Sequence, residues 1–251
     1  FPNQQKLLQA ALQSISPCSF SWRPSTSFPR DIQLEKRDPF HIEQIVSEFS
    51  REETDRDQIC ALSAIEQALW DIRGKALGKP IYTLFEGPYR NEIRLYANIN
   101  RATIDRTPDG FAQNAIAAVK EGFDAVKLAP FDGLPNGVDS AVEAEKGIAC
   151  LQAVREAIGP EIDLLLDCHS HFTTNGALEV ANILKDLDLF WFEQPVPESN
   201  TKKCLKVKNQ CGLQVAGGEN RMLVQRFQEV FERKTMDVVM PDVTVVGGIG
   251  E

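Results

Sequence analysis

The chain predicts an α/β fold of the (β/α)8, TIM-like barrel type, and three observations carry that prediction. From about residue 91 onward, short β-rich runs alternate with stretches of helical period, as parallel βα units do. The first run, IRLYANI, lacks the glycine-rich turn that an open doubly wound sheet places after its first strand. Several runs end in a polar residue, and barrels build their sites at the carboxyl ends of many strands.

Residues 1 to about 90 read as mostly helical. The chain begins at Phe1 rather than Met, within a stretch of helical character, so a trimmed start is expected. CSFSWRPSTSFPR, rich in Ser and Pro and without a period, reads as a loop. DPFHIEQIVSEF reads as a short helix. In DQICALSAIEQALWDIRGKALGKP the apolar positions 59, 62, 65, 69, 72 and 76 keep the rhythm of an amphipathic helix, which Gly78 and Pro80 end.

The expected strands are IRLYANI, FDAVKLA, IDLLLDC, LFWFE, LQVAGGE and DVVMPD. Between them lie helical stretches such as TPDGFAQNAIAAVKEG, SAVEAEKGIACLQAVREAIG and TNGALEVANILKDL. Six strands do not close an eight-stranded barrel. The expectation is therefore a barrel incomplete at its C-terminal end, with the stop at Glu251 read as truncation.

The formal net charge is −9 and the basic residues are scattered among acids, so no basic face for nucleic acid or anionic lipid is present. Six cysteines without a CxxC pair, mostly inside apolar stretches, suit reduced core residues of a cytoplasmic protein rather than a zinc or disulfide framework. No apolar run approaches the roughly 18 residues of a membrane span, and no signal-peptide pattern opens the sequence. No membrane partner is expected.

Asp167, Glu193 and Glu219 each follow an apolar run, and the two intervals are 26 residues each, one βα repeat. Successive carboxylates at that spacing would project from neighbouring strands at one end of a barrel. Converging anions raise each other's pKa, and a hard divalent ion with oxygen ligands, Mg²⁺ or alternatively Mn²⁺, relieves the conflict. His169 lies two residues beyond Asp167 and so faces the same side if the chain stays extended. Asn220 and Arg221 follow Glu219 and are candidates for binding substrate oxygens or for bracing that ligand. His171, in the following loop, and His41, on the first helix, are not assigned to the site. GGIG at 247–250, with no Lys-Ser/Thr partner, reads as a turn.

Together AIEQALWDIRGKALGKPIYTLFEG, GFDAVKLAPF, LLLDCHSHF, FWFEQP, GGEN and MPDVTVVGGIGE resemble the mandelate racemase and muconate lactonizing enzyme branch of the enolase superfamily, particularly its galactonate-type acid-sugar dehydratases. The resemblance spans about residues 38–251 and implies a partial capping domain at 1–90 before the barrel at 91–251. It also implies a homo-oligomer, a small sugar acid as substrate, and Asp167, Glu193 and Glu219 as the Mg²⁺ ligands. The reaction implied is removal of the proton next to the carboxylate, an enediolate intermediate, and loss of the 3-hydroxyl to give a 2-keto-3-deoxy acid. His169 matches the residue that protonates the departing hydroxyl, and imidazole titrates near the right pH for that work.

Lys127 matches the first lysine of the family's Lys-x-Lys motif, while Ala129 stands where the second, the usual base, belongs. A proton transfer with inversion needs a base on each face, so dehydration is favoured over racemisation or epimerisation, with Lys127 left to bind carboxylate oxygens or assist proton transfer. Asp242 matches the aspartate that orients a catalytic histidine on the next strand, and no histidine follows His171 in this chain. The competing readings are a racemase or epimerase of a 2-hydroxy acid, and a catalytically silent fragment or paralogue.

Overall fold

The computed structural model describes residues 37–49 and 55–251, so the expected loop at 18–30 and the helical character at the start lie outside the described residues. The chain divides into two compact units. One takes the described residues up to Ile93 together with Glu219–Phe227 and Pro241–Glu251; the other takes Arg94–Gly218 and Gln228–Met240.

In the first unit, α1 (Ile42–Phe49) and α2 (Arg56–Leu77) pack through Ile42, Ile45, Ile65, Leu69 and Ile72. The expected rhythm holds at Ile59, Leu62, Ile65, Leu69 and Ile72, which are all buried, and fails at Ala76, which is exposed. Asp55 starts α2 with a capping box, its side chain accepting from Gln58 N–H while Gln58 Oε1 accepts from Asp55 N–H. Gly78, in the left-handed conformation at φ 63°, ends it. The GGIG cluster is a turn, held by α2. Glu66 accepts the backbone N–H groups of Ile249 (2.7 Å) and Gly250 (2.9 Å) and the indole N–H of Trp70 (2.7 Å), so its buried carboxylate is satisfied. Gly248 has φ 118° and abuts this carboxylate, where a Cβ would collide.

The second unit carries six parallel strands in chain order: β1 (Ala97–Asn98), β2 (Ala125–Leu128), β3 (Asp163–Asp167), β4 (Leu189–Glu193), β5 (Val215–Gly217) and β6 (Val238–Val239). Helices α3 (Pro108–Lys120), α4 (Glu145–Ile158), α5 (Thr174–Leu184), α6 (Thr201–Gln210) and α7 (Leu223–Arg233) connect them. Each strand pairs with its predecessor, so the order never reverses as it does in a doubly wound sheet. Several expectations are corrected in extent. IRLYANI is a strand only at Ala97–Asn98, LQVAGGE only at Val215–Gly217 and DVVMPD only at Val238–Val239, and the helix expected from Ser140 begins at Glu145, because residues 141–144 form turns closed by Ala144 N–H to Ala141 O and Glu145 N–H to Val142 O.

The strands sort their side chains by parity. Val126, Leu128, Leu164, Leu166, Phe192 and Val215 join the main core with Phe111 of α3, Leu151 of α4 and Val180 of α5. Ala125, Leu165, Trp191 and Ala216 form a separate cluster on the opposite face. Lys127, Asp167 and Glu193 share the parity of that second face and stand at its carboxyl end.

One irregularity decides which residue meets Asp167. Leu164 pairs with Leu189, but Leu165 pairs with Trp191, so Phe190 is an extra residue in β4 and is exposed. Without that shift Phe192 would stand opposite Asp167; with it, Glu193 does.

Among the described residues no helix is long and apolar enough to cross a membrane. Among the described residues five cysteines are free thiols, and of these Cys150, Cys168, Cys204 and Cys211 are buried, as core residues are.

Candidate active site

Three parallel strands end on the same cluster. β2 supplies Lys127, β3 Asp167 and β4 Glu193, and all three are buried, with only 6%, 4% and 1% of their surface exposed. Burying charged groups is costly unless they are paired. The pairing is direct: Lys127 Nζ lies 2.9 Å from Asp167 Oδ2 and 2.6 Å from Glu193 Oε2. Trp191 Nε1 donates to the same Glu193 oxygen at 3.2 Å, and the Tyr96 ring faces the ammonium at 5.8 Å. Burial alone would lower the Lys127 pKa, but attraction by the two carboxylates outweighs it and raises the value above the ordinary lysine range. Lys127 is thus a held cation, poorly suited to accept a proton.

His169 reaches the cluster by a route other than the expected one. The extended chain assumed from its spacing is absent: His169 and Ser170 have φ of 46° and 62°, in the left-handed region. The turn is held by Ser170 N–H to Gln194 O (2.7 Å), His171 N–H to Cys168 O (3.1 Å) and His169 N–H to Asp167 Oδ1 (3.1 Å). It brings His169 Nε2 to 3.2 Å from Asp167 Oδ2. Gln194, immediately after Glu193, is also left-handed at φ 43°. Strained backbone is therefore gathered at the ends of β3 and β4, as it often is at functional sites.

The other imidazole nitrogen is engaged as well, Nδ1 lying 2.6 Å from Asp132 Oδ1. Hydrogen bonds to Asp132 and Asp167 favour the charged ring and push the His169 pKa up to about 10. The Asp167 carboxyl is held below the ordinary range: burial opposes this, but the bond from His169 and the charge of Lys127 prevail. Asp132 was not singled out from the sequence. The one signal there was its position shortly after β2, where a polar residue at a strand end belongs to a site.

Glu219, Asn220, Arg221 and Asp242 belong to the first unit. Glu219 lies two residues past the last residue of β5, and Glu193 pairs with Ala216, so the equal 26-residue interval does not continue as an equal register. There Asn220 Nδ2 donates to Glu219 Oε1 (3.1 Å) and Arg56 Nη1 donates to Asn220 Oδ1 (2.7 Å). Arg221 Nη1 donates to Arg226 O (3.3 Å). Asp242 Oδ1 accepts from the backbone N–H and the hydroxyl of Thr244, at 2.8 and 2.7 Å, capping its own turn.

Among the described residues no three His, Cys, Asp or Glu side chains are grouped as a metal site. Asp167 and Glu193 nevertheless suit a hard cation. They are buried oxygen donors set side by side by the strand register, and together they hold an ammonium.

Residues 110–251 match the family described as enolase C-terminal domain-like, and residues 32–85 match the N-terminal domain of mandelate racemase and muconate lactonizing enzyme. The chain is 30% identical over 217 residues to a D-gluconate dehydratase of Thermoproteus tenax, aligning 85% of this chain with 43% of that protein. It is 35% identical over 205 residues to a D-xylonate dehydratase of Haloferax volcanii, aligning 77% of this chain with 48% of its relative. The chain therefore spans less than half the length of these two curated relatives. A crystal structure of an enolase superfamily member from Salmonella Typhimurium superposes with a TM-score of 0.79 at 28% identity, covering 85% of this chain and 60% of that one. Strand order, the buried carboxylates at the strand ends and the two family matches agree, and the chain belongs to the enolase superfamily, in its mandelate racemase and muconate lactonizing enzyme branch.

Proposed function

We propose that this chain belongs to a divalent-cation-dependent dehydratase of a small sugar acid, a hydro-lyase giving a 2-keto-3-deoxy acid. The observation that carries the reading is the meeting of Asp167 and Glu193, paired across β3 and β4, with a histidine on one of them. The dehydratase names of the two relatives support the reaction class. The division into a capping segment at 1–90 and a barrel segment at 91–251, with assembly as a homo-oligomer, forms part of the same reading.

Asp167, Glu193 and Glu219 are the residues that would hold Mg²⁺, or Mn²⁺ as the alternative. When bound, the ion supplies positive charge against the negative charge that grows on the substrate carboxylate as its neighbouring carbon loses a proton. Lys127 adds a second fixed positive charge beside the same carboxylates. His169 gives a proton from Nε2 to the departing 3-hydroxyl, since hydroxide leaves poorly without one. Asn220 and Arg221 are assigned to substrate oxygens, and Asp242 to orienting the abstracting base.

The charged state of Lys127 argues against its acting as the second base that racemisation requires. Glu193→Gln is the direct test, because it keeps the size of the side chain and removes its charge. Loss of Mg²⁺-dependent conversion of sugar acids to 2-keto products by at least about a hundredfold is expected. Undiminished conversion in a folded variant contradicts the assignment.

A further inference from the structure

The carboxyl ends of β1, β2 and β3 carry a polar network that the proposed reaction has not yet used. We propose that Asp132 is a positioning residue for His169, fixing which imidazole nitrogen delivers the proton. This rests on the reading of His169 as the acid.

Asp132 binds the ring nitrogen that faces away from Asp167. Its Oδ1 lies 2.6 Å from Nδ1, while Nε2 is the nitrogen beside Asp167 Oδ2, at 3.2 Å. An ionised carboxylate accepts hydrogen bonds and cannot donate them, so Nδ1 must carry a proton in this pair. After Nε2 has given up its proton, the neutral ring keeps the Nδ1–H form. The nitrogen that gives and regains the proton is thereby set as Nε2, on the side of the two buried carboxylates.

The carboxylate is itself fixed. Asp132 Oδ2 accepts from Asn100 Nδ2 at 2.8 Å and from Arg106 Nη2 at 3.3 Å. Arg106 also donates to the Ala129 carbonyl at 2.6 Å, and its guanidinium lies 5.1 Å from the centre of the fully buried Phe111 ring. Asn100 Oδ1 takes the Ala129 N–H at 3.2 Å, tying the loop after β1 to the end of β2. Asp132 therefore has one oxygen anchored to the scaffold and the other turned to the imidazole. This is how an outer carboxylate orients a working histidine.

Leaving-group chemistry tests this. With a sugar acid, the C2 proton passes to the abstracting base, the C2–H electron pair becomes the C2–C3 double bond, the C3–O bond breaks, and the Nε2 proton joins the departing oxygen to give water. With the 3-chloro-3-deoxy analogue the same double bond forms, but chloride leaves with its electron pair and needs no proton. In Asp132→Asn the rate for the sugar acid, divided by that for the chloro analogue, should fall about tenfold to a hundredfold. In a His169→Gln background the same change should add no further loss.

An equal fall for both substrates, an unchanged ratio, or a full additional loss in the double variant overturns the proposal. A readout independent of turnover is the proton NMR spectrum of ¹⁵N-histidine-labelled protein. The proposal expects a slowly exchanging Nδ1–H resonance from His169 that Asp132→Asn removes; its survival in that variant overturns the proposal even if no sugar acid is converted. A wild-type protein that shows this resonance but turns over neither substrate contradicts the dehydratase reading and leaves the positioning role supported.

Discussion

At the residue scale, an ammonium shared by two buried carboxylates decides how the end of the sheet is held together. Lys127 lies between two anions and the charged His169 ring lies beside one of them, so these buried carboxylates are held by cations rather than by water. Lys127→Met removes the existing cation without removing much volume. It should cost about 3–5 kcal/mol, because two buried carboxylates lose the ammonium they share. Urea unfolding with and without Mg²⁺ checks this, and the deficit should be smaller with the ion present. Asp167 and Glu193 were legible in the sequence because each closes an apolar run and they stand one βα repeat apart, whereas a single acid at a strand end is ordinary. Asp132 was not, because APFDG has the composition of an ordinary turn and its aspartate is distinguished only by what lies across from it. His169 is marked in the sequence by its match to the family pattern and by a spacing that assumes an extended chain; the left-handed backbone at 169 and 170 overturns the second, although the ring arrives beside Asp167 all the same.

At the element scale, legibility followed the strength of the local signal. α2 was readable because its apolar rhythm and the Gly78 and Pro80 that end it agree, and agreement among independent signals marks a well-specified element. α6 buries only Cys204 and Val207 among ten mostly polar residues, so its sequence has little period to detect. The extra residue at Phe190 was hidden, since alternation in LFWFE gives no sign of a bulge, yet it is what turns Glu193 toward Asp167. A packing constraint ties α4 to the site. Gly147 lies against the ring of buried Phe131, where an added Cβ would overlap two ring carbons, and Phe131 is the residue before Asp132. Gly147→Ala should therefore destabilise the protein by about 1–3 kcal/mol through overpacking. Thermal unfolding measures the loss, and an unchanged midpoint would show that the ring moves freely aside.

At the scale of the whole molecule, the two units do not follow the linear order of the chain. Glu219–Phe227 and Pro241–Glu251 join the unit built on α1 and α2, a grouping that no local pattern announces. What makes it possible is long-range hydrogen bonding such as that of Glu66 with Ile249 and Gly250, whose partners are separated by more than 180 residues. Sequence patterns report on neighbours along the chain, so the winding of the sheet was readable and these clasps were not. If Asp167 and Glu193 form part of a divalent-cation site, calorimetric titration of the protein with Mg²⁺ should show saturable binding by the wild type that weakens by at least about tenfold in both Asp167→Asn and Glu193→Gln, as loss of a charged oxygen ligand should produce. Binding of equal strength in the folded variants, or none in the wild type, would contradict that assignment.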